Sequence, residues 1–131
     1  MVNFVRFVVP DADQDSTVRS GVVQAIYTLR ENGKLTNEET ARVDVIMKWL
    51  DKNLSEPTRF ARKRNVSHKA TRGISRFKDT ATEHMRRIRE IVVVLEAHGI
   101  LVEMLTTSRP GYVVYEDDHQ IVAEPFSETP R

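Results

Sequence analysis

The chemistry-bearing residues of this chain are concentrated in one stretch. Residues 57–90 hold 11 basic and 3 acidic side chains, a local charge of +8, whereas residues 1–56 carry −2 and residues 91–131 carry −5. The near-neutral total of +1 therefore conceals a basic middle and an acidic end. The cations are Arg59, Arg62, Lys63, Arg64, Lys69 and Arg72, then Arg76 and Lys78, then Arg86, Arg87 and Arg89. Clusters of this kind hold phosphate backbones, because each contact releases a condensed counterion. Phe60 and Phe77 are interleaved among them and can stack on bases. The block thus points to a polyanion, nucleic acid above all, or to an acidic protein partner. Its competing readings are a solvated face, laced by the i, i+4 pairs Glu83–Arg87 and Arg86–Glu90, and pairing with the acidic Glu116, Asp117, Asp118 and Glu124 in the same chain or across a homodimer.

His84 is the one candidate for acid–base work. It falls near the start of a helix, where the dipole favours the neutral imidazole. With Arg76, Lys78 and Arg87 to stabilise charge, it would suit a small enzyme acting on a phosphorylated or nucleotide-like substrate. The other histidines, His68, His98 and His119, do not stand at i, i+4 from it or from one another, so a zinc centre is not expected. Asp11, Asp13 and Asp15 have calcium-loop spacing, but Ser16 and Val22 stand where the loop needs glycine and glutamate. No cysteine is present, which excludes disulfides and thiolate chemistry and fits a reducing, cytoplasmic setting. The glycines are too dispersed to cradle a phosphate, and no nucleophile motif occurs. No metal and no cofactor is expected. Arg6, on an otherwise apolar strand, must be paired, reach a sheet edge, or meet a ligand carboxylate or phosphate. Tyr112, Val114 and Tyr115 are read as sheet packing with hydroxyls at the rim.

The elements that must position these groups follow from periodicity. Val2 to Val9 is apolar on both alternating faces and reads as a buried strand ended by Pro10, not as a signal peptide. A helix is predicted from Ser16 to Asn32, closed by Gly33. A second follows a Thr36–Glu39 capping box, with a stripe of Val43, Ile46, Met47, Leu50 and Leu54 widened by Val45 and Trp49; the short link predicts antiparallel neighbours. Residues 58–73 lose all periodicity and read as a mobile loop. Ile74 to Phe77 reads as a short strand, and a third helix from Thr80 to His98 carries Ala81, Met85, Ile88, Val92 and Leu95 on one face before Gly99.

The end of the chain reads as three antiparallel strands: Ile100 to Thr106, Tyr112 to Tyr115 and Gln120 to Glu124. Arg109-Pro110-Gly111-Tyr112 forms a type II turn and the tail beyond Pro125 frays. The expected fold is one α+β domain of order β-α-α-β-α-β-β-β. It has a mainly antiparallel sheet with three helices on one face and a ferredoxin-like split βαβ as a relative, the third helix linking two parallel strands. The longest wholly apolar run, Ile91 to Leu95, is far too short to cross a membrane. The stretch from Arg109 to Asp117 resembles small bacterial proteins, a likeness that implies no activity. The functional expectation is a non-enzymatic binding or assembly module.

Overall fold

A computed structural model describes residues 2–12, 19–54 and 73–131. The class is α+β, as expected, with three helices and a six-stranded antiparallel sheet. The strands and helices run β1 (Phe4–Ala12), β2 (Arg19–Gly21), α1 (Val22–Glu31), α2 (Asn37–Asn53), β3 (Ile74–Lys78), α3 (Thr82–Ala97), β4 (Glu103–Thr107), β5 (Tyr112–Glu116) and β6 (Gln120–Glu124). The expected order is recovered, with the three-residue β2 added to it. Hydrogen-bonded neighbours follow the order β2-β1-β3-β6-β5, and β4 also pairs with β1. No helix among the described residues is long and apolar enough to cross a membrane. The proposed loop at 58–72 and the acids Asp13 and Asp15 lie outside the described residues.

The chain divides into two compact units. The first comprises Met1–Arg6, Leu54–Thr82 and Leu105–Arg131. In it the start of β1 pairs with β3 (Phe4↔Lys78, Val5↔Phe77), β3 pairs with β6 (Ile74↔Ala123 through Phe77↔Gln120), and β6 pairs with β5, all antiparallel. Asp79 closes one end of the β1–β3 ladder: its carboxylate accepts from the Asn3 amide at 3.0 Å, and its own amide donates to the Asn3 carbonyl at 2.9 Å. The apolar core of this unit is Val5, Ile74, Ala81, Leu105, Ile121, Val122 and Ala123.

Two expectations fail in this unit. The stretch before Tyr112 does not fold β4 back on β5, because β4 pairs with β1. Gly111 does have positive φ, at 130°, but for another reason: a Cβ there would collide with the Glu124 carbonyl, so glycine is what lets the chain enter β5 directly beside the end of β6. The tail is not frayed. Phe126 and Thr129 close a turn on each other, Thr129 is buried, and its hydroxyl donates to the Arg109 carbonyl at 3.2 Å. Phe126 meets Tyr112 edge to face at 4.7 Å, and the Arg109 guanidinium lies over Phe126 at 5.2 Å. An aromatic anchor outweighs the polar composition of the segment.

The second unit comprises Phe7–Asn53 and Glu83–Met104. Here β1 continues through Pro10 rather than ending there. Four steps along β1, from Val8 to Ala12, face two along β2, from Gly21 to Arg19, so the irregularity absorbs a residue that has no amide hydrogen to donate. Strand pairing also takes Arg19–Gly21 out of the predicted first helix. That helix starts at Val22, with Gly21 extended (φ −76°, ψ 164°), where helical conformation would cost roughly 1 kcal/mol relative to alanine.

Both α1 and α3 end in a left-handed glycine motif: Gly33 and Lys34 donate back to Arg30 and Leu29, and Gly99 and Ile100 to Glu96 and Leu95. The capping box of α2 forms reciprocally, with the Thr36 amide on Glu39 at 2.9 Å and the Glu39 amide on Thr36 at 3.1 Å. The core of the unit is Val8, Val9, Val22, Ile26, the α2 stripe of Val43, Ile46, Met47 and Leu50, and the α3 face of Met85, Ile88, Ile91, Val94 and Leu95. Val45, expected to widen the stripe, is exposed.

The strands expected at Ile74–Phe77 and Ile100–Thr106 as parallel neighbours, observed as β3 and β4, are not hydrogen-bonded to one another; each pairs with β1. A nine-residue strand has the length to serve both.

Candidate functional site

The residues singled out for chemistry distribute over both units. Arg59, Arg62, Lys63, Arg64, Lys69 and Arg72 lie outside the described residues. Arg86 and Arg87 stand on the first turns of α3 and share one carboxylate: Arg86 reaches Glu83 at 2.7 Å and Arg87 reaches it at 2.8 Å. These two hydrogen bonds hold the Glu83 carboxyl below its ordinary range. Arg87 also lies over the Trp49 ring, 4.9 Å from its centre. Arg89 is exposed. On β3, Lys78 pairs with Glu116 of β5 at 2.8 Å, across the intervening β6.

His84 is buried and faces the end of α2. Its Nε2 lies 2.8 Å from the Asn53 carbonyl, an orphan acceptor at a helix C-terminus, and its ring meets Trp49 edge-on at 4.8 Å. At the opposite end, His98 contacts the Glu39 carboxylate of the capping box at 2.9 Å. The start of α3 is thus tied to the end of α2 and the reverse, so these two helices run antiparallel. α1 and α2, the neighbours expected from their short link, are joined by the ion pair Arg30–Asp44 at 2.8 Å. The position of His84 makes it a clamp between helices.

Arg76 occupies the middle of β3, opposite Ile121 of β6. Its residue is 2% exposed. Nη2 donates to the Pro130 carbonyl at 2.5 Å, while Nε and Nη1 are buried with no hydrogen-bond partner. Burial pushes its pKa below the usual arginine value, and no carboxylate opposes that shift. No family model, curated protein or solved structure matches the chain. The functional reading therefore rests on the chain's own geometry.

The other distinctive surface is β5. It is the last strand of the sheet order, with β6 on one side. Tyr112, Val113 and Val114 are three successive apolar residues exposed by 66%, 52% and 42%. A register irregularity between Val113 and Tyr115 places Val114 out of step with β6. The turn beyond β5 is held by hydrogen bonds to one carboxylate. Asp117 accepts from the His119 and Gln120 amides at 2.8 and 3.0 Å and from the Tyr115 hydroxyl at 2.8 Å. Partial burial works to raise the Asp117 pKa, but the donors from His119, Tyr115 and Gln120 together outweigh it and hold the carboxyl below its ordinary range. Tyr112 and Val114, expected to pack on the sheet, are exposed; they stand in a five-residue strand whose sequence lacks period-2 alternation.

Proposed function

We propose that the chain is a non-enzymatic assembly module that pairs with a second copy of itself by extending its sheet through β5. The observation that carries this reading is the apolar, exposed edge of Tyr112, Val113 and Val114. An unpaired strand edge is a template for another strand, and soluble proteins normally blunt it with charge. Antiparallel pairing about Val114 would set Tyr112 against the second copy's Glu116. It would also bring Arg109, just before β5, towards the second copy's acidic turn at Asp117 and Asp118. A strand that is apolar in its middle and oppositely charged beyond its ends is complementary to itself under a two-fold axis. A cytoplasmic setting, supported by the absence of cysteine, belongs to the same proposal.

The rival reading, capture of nucleic acid or an acidic protein by the basic block, is less favoured in its described part. Lys78, Arg86 and Arg87 already face Glu116 and Glu83, which lowers what each could add to a phosphate contact. The enzymatic reading is less favoured because the His84 ring is occupied by Asn53 and Trp49.

Light scattering at tens of micromolar, with the chain as it is and as Val114→Lys, tests the assembly. A dimer that becomes monomeric on the substitution, with unchanged circular dichroism, is the expected result. A monomeric parent protein overturns the proposal. An oligonucleotide titration run alongside, showing affinity that falls steeply with salt in a monomeric protein, would favour the rival.

A further inference from the structure

Arg76 presents a physical contradiction. A guanidinium remains charged at any physiological pH, since its proton is not lost in proteins. Burying an uncompensated cation is severely unfavourable, which is why buried charges are ordinarily paired. Yet this side chain is 2% exposed, makes one bond to a neutral carbonyl, and leaves Nε and Nη1 buried without an acceptor. Glu116, an acid of the same sheet, is engaged by Lys78.

The surroundings add positive charge. The ladder pairs Phe4 with Lys78 and Val5 with Phe77, so one further step along each strand sets Arg6 beside Arg76. Arg131 follows directly on Pro130, whose carbonyl Arg76 holds. Segments from the start, middle and end of the sequence thus place three arginines in the first unit.

We propose that Arg76 is the receptor of a buried oxyanion site. Its ligand is a phosphate or carboxylate group seated against the guanidinium fork, beneath the Phe126–Arg131 turn. The planar fork matches two oxygens of either group. Entry requires the terminal turn to lift, with the anion taking the place of the Pro130 carbonyl. The site is independent of the β5 edge, and neither proposal needs the other.

The test is thermal unfolding of the full chain in sodium phosphate, sodium acetate and sodium chloride at equal ionic strength. A saturable rise in Tm with phosphate or acetate, absent in chloride, is expected; at a hundredfold excess over Kd it amounts to roughly 10 °C. A response to phosphate alone assigns the phosphate class, and a response to acetate alone assigns the carboxylate class. Arg76→Met should abolish the response, whereas Arg89→Ala, at an exposed arginine of α3, should retain it. Should Arg76→Met fail to fold, isothermal titration of the unaltered chain with the same salts decides by itself. Equal Tm in all three salts with no heat of binding overturns the proposal, as does a response that survives in Arg76→Met.

Discussion

Replacing His84 by alanine measures whether this histidine is a structural clamp. The side chain is buried, lies 2.8 Å from the Asn53 carbonyl, and meets Trp49 edge-on. Removing it costs the hydrogen bond, about 1 kcal/mol, and strands the carbonyl at the end of α2. It costs the aromatic contact, about 1 kcal/mol, and leaves a ring-sized void whose penalty is of similar size. The sum is roughly 3 kcal/mol, or a fall of roughly 10 °C in Tm for a chain of this length. Trp49 is the only tryptophan, so its fluorescence reports directly on the contact while urea unfolds the protein. The midpoint should move down by about 1.5–2 M, with the slope unchanged. A loss under about 0.5 kcal/mol, the range of ordinary surface substitutions, would refute the clamp.

Gly111→Ala should destabilise by roughly 3 kcal/mol or more, because it adds both a collision with the Glu124 carbonyl and a side chain at φ 130°; hydrogen exchange should show β5 loosening first, and an unchanged melting curve contradicts the close approach. Asp117 gives a pH dependence. Its folded pKa lies below its unfolded value near 3.8, so its contribution is complete above that value and disappears as pH falls through the lower folded value. Asp117→Asn should therefore flatten the acid limb of the stability curve below about pH 4, and an acid limb identical to the parent's would show that the turn does not depend on this carboxylate.

What could be read in the sequence was local. The Thr36–Glu39 box, the α3 stripe and Gly99 signal through residues three to five apart, and the structure places them as expected. What could not be read depended on partners distant in the chain. Pro10 looks like a strand end until β2 supplies an irregular ladder that tolerates it. Arg109-Pro110-Gly111 looks like a hairpin turn because the demand on Gly111 comes from Glu124, thirteen residues on. The tail looks frayed because its anchors, Arg109 and Tyr112, lie outside it. Among the candidate site residues, Arg76 sits in a run of cations, and only its i, i+2 relation to the buried Ile74 hinted that it faces inward. The mutual engagement of Arg86 and Arg87 with Glu83 was legible in part: Glu83–Arg87 was expected, whereas Arg86 turns back to Glu83 at i+3 instead of pairing with Glu90.

The most direct measurement on the β5 edge is amide hydrogen exchange of residues 112–116 across a concentration series. In a monomer, amides on the side away from β6 exchange at a rate independent of protein concentration. If β5 is the assembly strand, their protection rises as concentration passes from about 1 to 100 µM, a range suited to a modest interface, while β3 and β6 stay constant. Equal exchange of the β5 amides at every concentration would contradict the proposal.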